Sequence, residues 1–115
     1  MEIQAMNTIA LLAPFFIVLN IIYIVENQIF YLHLKKWHTR EWERLGSPDV
    51  LSNNSVHIVV RFIKELFSGR LGQIEGLDTA QIKRLVRLKV LFATSITFFL
   101  GAISYILVKI LVGTS

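Results

Sequence analysis

Glu26 directly follows an uncharged run of 23 residues, Ile3 to Val25, and no other side chain here is better placed to do chemistry in apolar surroundings. An acid inside a membrane normally faces a protein partner, a proton path or a polar cavity, because hydrocarbon charges it ~2.5 kcal/mol or more. Asn20 and Asn27 stand seven residues apart on much the same helical face. With Glu26 they form a polar stripe whose first reading is helix association through hydrogen bonds worth ~0.6 kcal/mol each. A homo-oligomeric transport or proton-conducting element using Glu26 is the alternative, with no acid or histidine evident beside it in the sequence. In a second apolar run Ala93, Thr97 and Gly101 recur every four residues, a spacing that lets helix backbones approach closely.

Enzyme chemistry finds no support. His33 and His38 are five apart, off a common helical face, and His57 lies elsewhere, so no helical zinc motif is present. No serine or threonine sits in a nucleophile elbow, and the glycines between Gly69 and Gly76 match no phosphate loop. The chain lacks cysteine, which removes disulfides and thiol chemistry. No catalytic residue, metal or cofactor is expected.

The elements that must position these residues are two membrane helices. A stretch of about 20 apolar residues crosses the ~30 Å hydrocarbon core, and both Ile3–Val25 and the 19 residues Val90–Val108 qualify. Eleven of the twelve lysines and arginines fall between Lys35 and Lys89, with six acids. Orientation follows the count of bases over short loops, so this segment is expected in the cytoplasm and both termini across the membrane. The first run opens on Met1 and Glu2 and passes into Glu26, Asn27 and Gln28, unlike a cleaved signal peptide. Topology and attraction to anionic lipid explain the basic pI of about 9.7 without nucleic acid.

The fold class expected is an all-α membrane protein: a hairpin of two long transmembrane helices joined by an amphipathic cytoplasmic connector helix. The first helix is read from residue 5 to 45, roughly 60 Å of rod whose excess length projects as a stalk, ended by Gly46 and Pro48. The connector, 46–78, contains a helix at 55–68 with Val56, Val59, Val60, Ile63 and Phe67 at helical spacing. Asp78 and Gln81 resemble a capping box for a second long helix, 79–112. Tyr31, Trp37 and Trp42 suit an interfacial girdle, and Lys35, Lys36, Arg61, Lys64, Lys83, Arg84, Arg87 and Lys89 suit lipid headgroups. Two placements of Glu26 stay open. Counted inward from Lys35 it lies about 13 Å deep, near midplane; with a span of Ala5–Ile24 it lies at the edge.

Asn20 in the first run, the basic exit at Lys35 and Lys36, the long polar middle and the basic entry to the second run together resemble the small bacterial two-span proteins related to universal stress protein B. The stretch Trp42, Glu43, Arg44, Leu45, Gly46, Ser47 and Pro48 is the most specific part of that likeness. The resemblance implies a bacterial inner-membrane location and a stress-linked role, and supplies no mechanism. A soluble nucleotide-binding domain is excluded, since strands and helices do not alternate. The expectation is a non-catalytic accessory or regulatory subunit whose partners are membrane lipids and larger integral membrane proteins, with a second reading as an organiser that binds anionic lipid.

Overall fold

The computed structural model describes residues 2–113, with side chains from Asn7 to Gly113, and every regular element among them is helical. Helix α1 spans Glu2–Trp37 and carries Pro14 within it. It is followed by α2 (Thr39–Arg44), α3 (Val56–Ser68), a single 3-10 turn at Leu71–Gln73, and α4 (Thr79–Gly113). Helices α1 and α4 are both long and apolar enough to cross a membrane, and no residue in the most apolar window of either is buried within the chain. Helices apolar all round and uncovered are built to sit in lipid or against other helices.

The two long helices pair antiparallel in one steady register. Phe16 meets Phe98 and Tyr23 meets Phe92, each pair of ring centroids 5.9 Å apart, while Ser95 lies against Asn20 and Arg87 against Glu26. Every advance along α1 is matched by a similar retreat along α4. The charged end of one uncharged run therefore meets the charged end of the other.

The first helix was expected to run unbroken to Leu45, and it does not. His38 adopts φ −138° and ψ 56°, and the Thr39 hydroxyl donates to the Lys35 carbonyl at 2.9 Å. In a continuous helix that carbonyl would accept the Thr39 amide, so the side chain has displaced the backbone from its own ladder. The expected stalk folds back instead. Gln28 Nε2 donates to Asp49 Oδ2 at 3.1 Å and Gln28 Oε1 accepts the Val50 amide at 2.9 Å. Those contacts bring the chain after α2 about 13 Å back along α1 from Trp37.

This return lets a small core form at one end of the hairpin, which we call the head. Phe30, Tyr31 and Leu34 of α1 pack with Leu45, with Phe62 and Leu66 of α3, with Leu71, and with Leu85 and Leu88 of α4. The Phe62 ring lies 5.0 Å edge-on to Tyr31 and 6.0 Å from Phe30. Full burial is worth ~1.5–3 kcal/mol for each large apolar side chain, so this core holds α2 and α3 against the long helices. It also removes Tyr31 from the expected girdle, because that side chain is 1% exposed and sits under Phe62.

The turns are set locally. Gly46 has φ +97°, as a left-handed helix end requires, and a Cβ there would meet Ile58 Cγ1 at 3.1 Å. Gly46→Ala is therefore expected to lower head stability by about 1–3 kcal/mol, read from the denaturation midpoint followed by Trp42 fluorescence in micelles. Ser55 caps α3 and Gly69 ends it. The Asp78 carboxylate accepts the Gln81 amide at 2.9 Å, giving one half of the expected capping box. The other half is missing, since Gln81 Oε1 is buried without a hydrogen-bond partner among the described residues.

Candidate functional site

The expected polar stripe on α1 faces α4 of the same chain. Asn20 Oδ1 accepts from Ser95 Oγ at 3.1 Å and its Nδ2 donates to the Phe16 carbonyl at 2.8 Å, so both ends of the amide are engaged. Glu26 Oε2 lies 3.1 Å from Arg84 Nη1 and 3.4 Å from Arg87 Nη2. Asn27 is buried one residue on, with Oδ1 unpartnered among the described residues. Arg84 and Arg87, counted among the headgroup candidates, both turn to this acid. Arg84 does so more completely, with 16% of its side chain exposed against 48% for Arg87.

The small-residue stripe is left open. Ala93, Thr97 and Gly101 are exposed and border an apolar groove of about 920 Å³ between α1 and α4, lined also by Leu12, Phe16 and Tyr105. A Cβ built on Gly101 meets nothing within 4 Å. The Thr97 hydroxyl donates to the Ala93 carbonyl at 2.8 Å, so its polarity is already met within the helix.

The head has its own ionic centre. Arg44 grips the Glu65 carboxylate with both terminal nitrogens, at 2.7 and 2.6 Å, and Arg44 Nε donates to Glu41 at 2.8 Å. Arg61 Nη1 donates to the Arg44 carbonyl at 2.9 Å, and Arg70 approaches Glu65 at 3.8 Å. The Arg44 hydrogen bonds hold the Glu65 carboxyl below the usual carboxylate range despite its burial, and the same bonds raise Arg44 above an ordinary guanidinium. Such two-pronged pairing is the strongest form of the Arg–carboxylate contact.

The other interface candidates divide by contact. Trp42 Nε1 donates to the Pro48 carbonyl at 3.0 Å, with the Lys35 ammonium 5.2 Å above its ring, so both belong to the fold-back of α2. Lys36 stands 5.1 Å over Trp37, which is 65% exposed. Lys64 and Lys83 are exposed and Lys89 half-buried. The break at His38 also swings its ring to 5.6 Å from His33, a neighbour that continuous helical spacing would not give. Among the described residues there is no group of three potential metal ligands.

Sequence reasoning passed over Gln28, Asp49 and Ser95, which make three of the long-range contacts on which this arrangement depends. Only Gln28 left a trace in the sequence, as a polar residue just beyond an apolar run. No family model matches the chain, and no curated protein or solved structure is significantly similar to it.

Proposed function

We propose that this chain is a non-catalytic accessory subunit of a bacterial inner-membrane assembly, a two-span hairpin that offers the groove between α1 and α4 to a helix of a larger integral membrane protein. The observation that carries the reading is the open stripe of Ala93, Thr97 and Gly101 along an apolar groove of about 920 Å³. Association in lipid depends on close packing at small residues, because lipid tails are as apolar as leucine and exert no hydrophobic drive.

The placement of charge supports the two-span reading. From Asn7 to Glu26 and from Val90 to Lys109 each helix advances nineteen residues, ~28 Å, close to the hydrocarbon thickness. In this frame Glu26, Arg84 and Arg87 lie at the membrane edge, the head at the cytoplasmic surface, and the termini on the far side. α3 acts as an amphipathic brace that turns Phe62 and Leu66 into the head and leaves His57, Arg61 and Lys64 outside. The transport alternative for Glu26 has less to recommend it, since two guanidiniums share its carboxylate.

Gly101→Leu fills the groove without adding polarity. Cross-linking in native membranes, followed by mild-detergent purification, is expected to enrich a defined larger partner with the wild type and to lose most of that enrichment with the variant. Recovery of both proteins only as monomers, with nothing above a mock control, would count against the proposal.

A further inference from the structure

The segment Val50–Val60 is eleven residues without a formal charge, set inside the basic half of the chain. It opens with a turn closed by paired amides, in which Asp49 and Asn53 exchange backbone hydrogen bonds at 3.0 and 2.9 Å. Asp49 Oδ1 accepts the amides of Leu51 and Ser52 at 2.9 and 3.1 Å, and Gln28 Oε1 accepts that of Val50. Asn53 Nδ2 donates to the carbonyls of Gly46 and Ser47, both at 3.0 Å. All five amides from Asp49 to Asn53 are thus satisfied within the chain. At the tip of this tightly bonded turn stands Leu51, 92% exposed, the barest large apolar side chain among the described residues.

Turns built on an aspartate bond their own amides in water as well, so these bonds fix the shape of the tip. The bare leucine on that tip is the feature that gains from a setting poor in water, and the satisfied amides are compatible with one. The depth of the turn agrees. Its clamp, Gln28, lies two residues from Glu26, ~3 Å along the helix, so the turn stands level with the charged layer of Glu26, Arg84 and Arg87. A second element reaches the same depth: Phe67, at the end of α3 and 47% exposed, places its ring 5.6 Å from Phe92, which itself faces Tyr23 above that layer. The rim of the head is therefore continuous with the uncovered apolar faces of the two long helices.

We infer that the Asp49–Asn53 turn is a membrane-contact element that seats Leu51, together with Phe67, in the boundary between headgroups and acyl chains of the bilayer. The occupant of this surface is lipid. The inference rests on the two-span reading, and it adds a second mode of attachment, in which the head is pinned to the leaflet from which its own helices emerge. A side chain at the tip of a pre-bonded turn loses little conformational freedom on insertion, so contact does not require the turn to reorganise.

The absence of cysteine allows a direct test with single nitroxide labels at Leu51→Cys, Phe67→Cys, Val18→Cys and Ala80→Cys in the full chain. The protein is reconstituted in phosphatidylcholine–phosphatidylglycerol vesicles, and each label is read for collision with oxygen, which concentrates in lipid, and with a water-soluble nickel chelate. Val18 reports the span and Ala80, at the start of α4, the aqueous side. Leu51 and Phe67 labels are expected to favour oxygen over the chelate several-fold more than the Ala80 label does. A Leu51 label grouping with Ala80 while Val18 reads as lipid would overturn the inference and leave the span standing. A Leu51 label reached by neither reagent would mean a protein covers the turn, which contradicts it equally. A Val18 label that reads as aqueous would remove the two-span reading and this inference with it.

Discussion

Replacing Arg44 with alanine is expected to destabilise the head by about 2–3 kcal/mol. The Glu65 side chain is 11% exposed and receives two short bonds from Arg44, so the variant leaves a carboxylate largely stripped of water and of its main partner. Breaking a buried pair from one side costs ~3–5 kcal/mol, and the 31% exposure of Arg44 argues for the lower figure used here. The same pair sets a pH dependence. Because the folded-state value of Glu65 is depressed, its stabilisation is present above the ordinary glutamate value of about 4.3 and is lost as pH falls through the folded value. Acid should therefore loosen the head, and the Arg44→Ala protein should show much less of this response. Trp42, bonded to the Pro48 carbonyl, gives the optical signal. A flat profile in the wild type between neutrality and mild acid, with unfolding only below that window, is the expected form. Equal midpoints for wild type and Arg44→Ala at neutral pH would show that the pair contributes nothing.

What could be read in advance were features written in one dimension. The end at Gly46, the bounds of α3 and the Asp78 start of α4 depend on local composition and spacing, and each lies within a residue or two of its expected place. The break at His38 was hidden because nothing in the residue types says that the Thr39 hydroxyl will take the Lys35 carbonyl; threonine at such a position is compatible with an intact helix. Once the chain folds back there, Tyr31 becomes core instead of girdle and Trp42 turns its indole to the Pro48 carbonyl, so two expectations change for one local reason. The partners of Glu26 were illegible in a different way. Arg84 and Arg87 lie 58 and 61 residues further along the chain, and only the antiparallel register of α1 against α4 brings them to it. The groove is the converse case. The small residues along Ala93, Thr97 and Gly101 were visible, but their absence from the contact between α1 and α4 is a matter of geometry.

The hairpin places its polar chemistry inside and its apolar surface outside, an order suited to a subunit that associates laterally. Asn20, Glu26 and Asn27 would be costly against lipid, and pairing them with Ser95, Arg84 and a buried interface leaves outward faces that any apolar neighbour can cover. In the proposed role, specificity would come from the shape of the small-residue groove and from the depth marked where the charges of both helices meet.

Glu26→Ala is accordingly expected to cost the hairpin about 3 kcal/mol, whereas Arg87→Ala should cost about 0.5 kcal/mol. The difference follows from exposure. Arg87 is nearly half in solvent, where an ion pair contributes ~0–1 kcal/mol, but Arg84 is 16% exposed, and both its Nε and the Nη1 that faces Glu26 across an ion pair are buried without a hydrogen bond among the described residues, so the charge of Glu26 is its main compensation. Removing Glu26 leaves Arg84 a largely buried cation without its carboxylate, beside Arg87 of the same sign. Glu26→Gln keeps the volume and an acceptor oxygen, so it should fall between the two. The sharper test is the double variant Glu26→Leu with Arg84→Met, which replaces the inner pair by apolar side chains of similar size. Buried ion pairs exchanged in this way are commonly neutral or better, so the double variant should recover most of the loss seen with Glu26→Ala. Equilibrium unfolding in mixed micelles, titrated with sodium dodecyl sulfate and followed by loss of helical circular dichroism, measures all five proteins on one scale. If Glu26→Ala proves as mild as Arg87→Ala, the acid is not holding the helices together. A double variant no more stable than Glu26→Ala would show instead that the charge itself, and not its compensation, is what this contact between α1 and α4 requires.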